Sequence, residues 1–156
     1  CSDLIAALNE ERAREGGHIM NDLLGRLDAI TASLAEIQTG WPEVIKTHEE
    51  RLRGKIAEIT QSVAVDETRV LQEIAIYMER VDISEEIVRL TGHLDNFRGT
   101  LASLEPMGRK LDFIIQEMVR ETNTIGSKSN DLYINERVIG IKVEIEKMRE
   151  QVQNVE

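Results

Sequence analysis

The sequence holds a single cysteine, Cys1, among 156 residues. No disulfide can close within the chain, a cysteine-rich zinc site is excluded, and a reducing compartment suits it. Aromatic residues make up 3%, too few for the Tyr-, Phe- and Trp-rich packing on which strands usually rely. No apolar run approaches the roughly 20 residues that span a bilayer, and no secretory signal opens the chain. There is no basic excess either: the formal charge of -10 argues against nucleic-acid binding over the whole surface. Several catalytic signatures are missing. There is no Gly-x-x-x-x-Gly-Lys phosphate loop, and His48-Glu49 lacks a second His at zincin spacing. There is no Gly-x-Ser-x-Gly elbow. The three histidines, His18, His48 and His93, are scattered.

What is present points to helices. The charged fraction is 31%, and Leu, Ile, Glu, Arg and Ala recur at short intervals, as in long helices and coiled coils. The expected fold is all-α, with long antiparallel helices in an elongated, coiled-coil-like bundle. Cys1 is not a natural start and the pattern begins in mid-helix, so the chain reads as a piece of a longer protein. The charge is uneven. Residues 1–105 carry 11 Lys and Arg against 20 Asp and Glu, whereas residues 106–156 carry 8 against 9. The later part can therefore present a local basic patch.

Apolar residues Ile19, Leu23, Leu27, Ile30, Leu34 and Ile37 recur at steps of three and four. That spacing predicts a helix from about Asp3 to Thr39, with Gly16-Gly17 as a bend or a close backbone approach. Gly40-Trp41-Pro42 reads as a turn, with Gly for the stop and Pro for the next first position. A second helix with Ile45, Leu52, Ile56, Ile59 and Val63 on one face would complete a helical hairpin over residues 1–65. Residues 66–156 read as a second helical unit, continuous with the first or separate from it. It opens at Asp66, a favoured N-cap residue, and carries Leu71, Ile74, Met78 and Val81. The phase shifts at Ile83, followed by Ile87, Leu90, Leu94, Phe97 and Leu101. Asp82 with Glu85 fits a variant capping box, hence a restart; a stutter in one helix is the alternative. Pro106 and Gly108 open a helix with Leu111, Ile114, Ile115, Met118 and Ile125 inside. Residues 126–130 read as a kink or short loop. The last helix steps through Ile134, Val138, Ile141, Ile145, Met148, Val152 and Val155, a heptad seam that needs a partner helix.

Two polar rows accompany these stripes. Asp82, Glu86, Arg89 and His93 fall in one stripe at 100° per residue. Such a set can bind a divalent ion, hold a phosphate and move a proton. An exposed ion-pair ladder centred on Arg89 is the alternative. The second row is Asp112, Gln116, Arg120 and Asn123, with Glu117 beside it. Arg109 and Lys110 occupy a helix first turn, where the dipole disfavours cations and free N–H groups favour anions. Ser127, Lys128 and Ser129 repeat that theme. Capping and i, i+4 pairs such as Asp112 with Gln116 are the alternative here. Trp41 reads as a packing anchor and Phe113 as a surface residue open to base stacking.

The runs RVDISEEIVRLTGHL (80–94), PMGRKLDFIIQEMVRETNTIGSKSND (106–131) and VEIEKMREQVQNVE (143–156), with a weaker pattern around Arg12, Glu15 and Gly16, resemble the carboxy-terminal domain of the YicC-like family of bacterial endoribonucleases. The amino-terminal domain of that family is absent. Val119 stands where the family usually has Asn, Thr122 where Ala is usual, Met107 where Val is usual and Gly92 where Ser is frequent. The resemblance implies RNA cleavage with a divalent metal, Mn or Mg, in the bacterial cytoplasm, by a ring-like homo-oligomer, up to a hexamer, enclosing RNA. On that expectation Asp82, Glu86, Asp112 and Glu117 hold the metal. Glu86, His93, Asp112, Glu117 and Arg120 are catalytic, and His93 carries the proton. Arg89, Arg109, Lys110, Gln116, Asn123, Ser127 and Lys128 bind RNA and its phosphates. The alternatives are an RNA-binding adaptor that recruits another ribonuclease, and a structural assembly module. The piece alone is expected to cleave weakly or not at all.

Overall fold

A computed structural model of the chain describes residues 2–61, 66–103 and 108–153, with the side chains of residues 2–9, 12 and 13 left aside. The expectations at Arg12, Val63, Pro106, Met107 and Val155 lie outside the described residues. Among the described residues five helices follow in order: α1 (Ser2–Thr60), α2 (Glu67–Val81), α3 (Ser84–Leu101), α4 (Gly108–Ser129) and α5 (Leu132–Gln153). The all-α expectation holds.

The turn expected at Gly40-Trp41-Pro42 is absent. α1 is one helix of 59 residues with Pro42 inside it, about 90 Å long at 1.5 Å per residue. Gly40 serves packing rather than a stop. A Cβ there would lie 2.8 Å from Cε1 of Tyr133 on α5, so only a glycine lets the ring so close. Trp41 is 7% exposed and belongs to the core. Its favourable burial holds the segment in place despite the backbone hydrogen bond that Pro42 cannot donate. The helix also runs through Gly16-Gly17, where nothing lies within 4 Å of an added Cβ.

Cross-helix contacts give the directions. Arg26 binds Glu144 and Arg137 binds Glu36, so α1 and α5 run antiparallel. Asp28 with Arg98 and Trp41 with Asp82 set α1 antiparallel to α3. Glu86 with Lys128 and Arg89 with Glu121 do the same for α3 and α4. α4 and α5 form a hairpin through Asn130, whose φ of 42° is a conformation that Asn tolerates better than most residues. The loop expected over residues 126–130 shrinks to that corner, because α4 stays helical through Ser129. At Gly126 an added Cβ would meet Cγ1 of Val138 at 3.1 Å, so this glycine also marks close helix packing.

The result is a four-helix antiparallel bundle made of part of α1 with α3, α4 and α5. One apolar cluster fills it, from Leu23 to Trp41 on α1 through the predicted stripes of the other three helices. The α5 seam from Ile134 to Val152 is buried between α1 and α4, so its partner lies within the chain. α2 folds back on the far part of α1. Its core is thin: Ile74 and Val81 are buried, but Leu71 is 53% exposed. No helix among the described residues is long and apolar enough to cross a membrane.

Candidate active site

The helix restarts at the α2–α3 junction, as the phase shift predicts, but not through a capping box. Asp82 Oδ1 accepts from Ser84 N at 3.0 Å, Ser84 Oγ at 2.6 Å and Trp41 Nε1 at 3.3 Å. Glu85 pairs with Arg89 instead of reaching back. Partial burial pushes the Asp82 carboxyl up, but the bonds from Ser84 and Trp41 outweigh it and hold the group below its ordinary value. Asp82 is thus a junction residue.

Beyond the junction, the antiparallel α3–α4 pair carries a polar seam beside its apolar one. On α3, Glu86, His93 and Thr100 recur every seven residues, one position before Ile87, Leu94 and Leu101. On α4, Glu121 and Thr122 fall in the phase of the core stripe between Met118 and Ile125, and both are buried. Thr122 satisfies its hydroxyl on Met118 O at 2.7 Å. Glu121 is 3% exposed, and among the described residues its carboxylate accepts no hydrogen bond. Its cation is Arg89, with Nη1 at 3.9 Å.

Around Glu121 the structure assembles a mixed cluster. Ligand atoms of His93, Glu117 and Glu121 all lie within 4.8 Å of one another. They line a groove with Arg89, Gly92 and Arg120. Arg120 Nη1 stands 3.5 Å from Glu117 Oε2. Arg89 bonds Glu85 through its other terminal nitrogen. That bond first, with the Glu85 charge and then Glu121 and Glu86, raises the Arg89 pKa further above an already high value.

Of the four expected metal ligands, only Glu117 belongs to this cluster. Asp82 is committed to Ser84 and Trp41. Asp112 accepts from Gln116 at 2.9 Å, and five residues of helix turn it about 140° away from Glu117. Glu86 is 4% exposed and receives Lys128 Nζ at 2.7 Å, while the same ammonium donates to Asp82 O at 3.1 Å. Its Oε2 has no hydrogen-bond partner among the described residues. Glu86 and His93 are seven residues apart, about 10 Å along α3, so they do not meet as an acid–base pair.

The expected phosphate ligands divide similarly. Arg89 and Arg120 line the groove. Lys128 is held by Glu86, and Ser127 Oγ donates to Thr124 O at 3.0 Å. Arg109 and Lys110 are exposed and make no ion pair among the described residues, and Gln116 and Asn123 are exposed on the outer face of α4. Glu121 belongs to neither polar row of the sequence. The available signal was its position: an acid at a core-phase slot, four residues after another acid.

The family described as endoribonuclease YicC-like, C-terminal, matches residues 37–156, which include the whole α3–α4 seam. A protein of Clostridioides difficile (strain 630) named "Probable endoribonuclease YicC" is 41% identical over 155 residues, covering 99% of this chain and 53% of that protein. A protein of the same name from Haemophilus influenzae is 36% identical over 154 residues, with the same coverages. The chain thus spans about half the length of these relatives. It belongs to the YicC-like endoribonuclease family and carries its C-terminal region.

Proposed function

We propose that this chain supplies the phosphate-cleaving groove of an endoribonuclease, with a divalent cation held by His93, Glu117 and Glu121. The carrying observation is that cluster, one imidazole and two carboxylates within 4.8 Å, with an arginine on either side. The donor set suits Mn or Mg, and its mixed nitrogen and oxygen character favours Mn. A divalent ion bound there would lower the pKa of water and neutralise phosphate charge. Arg89 and Arg120 reach the scissile phosphate and balance the charge that develops on its oxygens. Arg109 and Lys110, at the first turn of α4, bind the strand farther along. Glu86 and Lys128 brace α3 against α4 and so hold His93 opposite Glu117.

Two routes are open to such a groove. With a cation, His93 would be one of its ligands, and the ion would supply an activated water to displace a ribose oxygen from the phosphorus. Without one, His93 takes the proton of the RNA 2′-hydroxyl, with Glu117 beside it; the 2′-oxygen attacks the adjacent phosphorus and expels the 5′-oxygen, which takes up a proton from water. Product ends separate them, since a 2′,3′-cyclic phosphate marks the second.

Self-association belongs to the same reading, supported by an exposed apolar stripe. Leu132, Ile139 and Val143 form an outer stripe on α5 and are 77%, 62% and 47% exposed. Such a stripe suits a second copy, and a ring of copies would line a channel with the arginine-bearing grooves. Sedimentation of the chain tests this.

The deciding experiment measures cleavage of labelled RNA, with and without Mn, by this chain and by a relative of full length. Glu117→Gln, His93→Asn and Arg120→Gln are compared at matching positions. Loss of cleavage by at least tenfold with folding and RNA affinity retained supports the catalytic reading. Loss of RNA affinity alone favours an adaptor. Loss of thermal stability alone leaves a structural module. Cleavage by this chain on its own is expected to be weak.

A further inference from the structure

We propose that Arg89 and Arg120 are internal counter-ions which a divalent cation displaces from Glu121 and Glu117, so that cation binding and phosphate binding at the groove reinforce each other. This rests on the cation site proposed above and adds a regulation to it.

The two carboxylates sit four residues apart on α4 and face the same imidazole. Each leans on a different guanidinium: Glu117 on Arg120 at 3.5 Å and Glu121 on Arg89 at 3.9 Å. Both distances exceed the 2.7–2.9 Å of a strong charge-assisted bond. The acids are the more buried partners and the arginines the more exposed ones. Glu121 and Glu117 side chains are 4% and 26% exposed, against 44% for Arg89 and 68% for Arg120. Arg89 has an alternative anchor in Glu85, and Arg120 has solvent.

A dication bound by the three ligands repels both guanidinium groups at this range. Their heads must leave Glu121 and Glu117; Arg89 stays bonded to Glu85 through Nη2, which frees its Nη1, and together with Arg120 it can take a phosphate entering the groove. Conversely, a phosphate that draws the arginines outward unmasks the carboxylates for the cation. Coupling of this kind is reciprocal by thermodynamic necessity. Without phosphate the arginines compete with the cation; with phosphate they cooperate with it.

The test is Mn(II) binding to the chain, read by electron paramagnetic resonance of the free ion. It is done alone and with a saturating short 2′-O-methyl oligoribonucleotide, which binds but lacks the 2′-hydroxyl. For the parent, the oligonucleotide should tighten Mn binding about fivefold or more, the lower end of typical coupling. Arg89→Gln and Arg120→Gln, both at accessible positions, should bind Mn severalfold tighter than the parent without RNA. They should show little further gain with it. If the cation merely bridges carboxylates and phosphate, both variants keep the full parental gain, and the counter-ion proposal fails while the cation site stands. If the parent binds no Mn, or His93→Asn and Glu121→Gln bind it unchanged, the cation site itself fails and this proposal falls with it.

Discussion

Glu121 occupies a slot that the stripe of α4 would otherwise give to a leucine. It lies between Met118 and Ile125 in core phase, 3% exposed, with one long contact to Arg89. A buried charge with so weak a partner costs stability, and its retention there is what a ligand role would require. Glu121→Leu should therefore raise the melting temperature by a few degrees, on the order of 1 kcal/mol, and, on the cation site proposed above, abolish Mn binding. Calorimetry and Mn titration on the same sample check both halves; a fall in melting temperature would mean that the carboxylate stabilises the fold. The same residue shows how far a sequence reveals a site. Arg89, His93, Glu117 and Arg120 were legible because polar rows beside an apolar stripe can be counted on a helical wheel. Glu121 was not, because an acid in core phase is read as a gap in the stripe until its facing helix is known. Asp82, Glu86 and Asp112 share types and spacing with true neighbours of the groove. What assigns them elsewhere is partners on other parts of the fold: Trp41, Lys128 and, within α4, Gln116.

Among the elements, α1 is where local signals and tertiary packing disagree. Glycine followed two residues later by proline is a turn signal on local grounds, yet here the glycine admits Tyr133 and the proline is tolerated. Tyr133 is itself fixed beneath Arg137, whose guanidinium lies 3.4 Å from the ring centroid and pairs with Glu36 of α1. Three substitutions separate these influences. Pro42→Ala restores a backbone donor in an exposed stretch of helix and should stabilise the chain by roughly 1–3 kcal/mol. Gly40→Ala gains about 1 kcal/mol of helix propensity but drives a Cβ into Tyr133, so it should lower the melting temperature. Gly140→Ala on α5, with nothing within 4 Å of its Cβ, should raise it. Thermal melts of the three variants suffice; a stabilising Gly40→Ala would show that Tyr133 swings away at little cost. The other elements were legible for a physical reason. The α5 seam keeps its step of four and three throughout, and the α2–α3 restart shows as a phase shift that a single straight helix cannot accommodate.

Across the whole molecule, α1 is tied to its neighbours by charge as well as by its apolar face. Arg26 joins Asp22 and Glu144, Arg98 joins Asp28, and Arg137 joins Glu36. The Glu144 carboxyl lies below its ordinary 4.5, chiefly through a hydrogen bond from Lys147, which with Arg26 outweighs the opposing effect of burial. A carboxyl whose folded pKa is depressed releases its proton more readily in the folded chain than in the unfolded one. Its stabilising contribution is therefore present above about pH 4.5 and fades as the pH falls through the lower, folded value. An opposite trend acts on the molecule as a whole, since protonation relieves the self-repulsion of a chain carrying a net charge of -10. The melting temperature of the parent alone cannot separate the two, but its difference from Glu144→Gln can, because both proteins feel nearly the same overall relief. That difference should be positive and flat from pH 7 to pH 5, worth under about 1 kcal/mol for a partly exposed pair, and should close as the pH drops below 4.5. Melts at constant ionic strength measure it. A gap that persisted undiminished at pH 3 would show that Glu144 holds α1 to α5 by packing rather than by its charge.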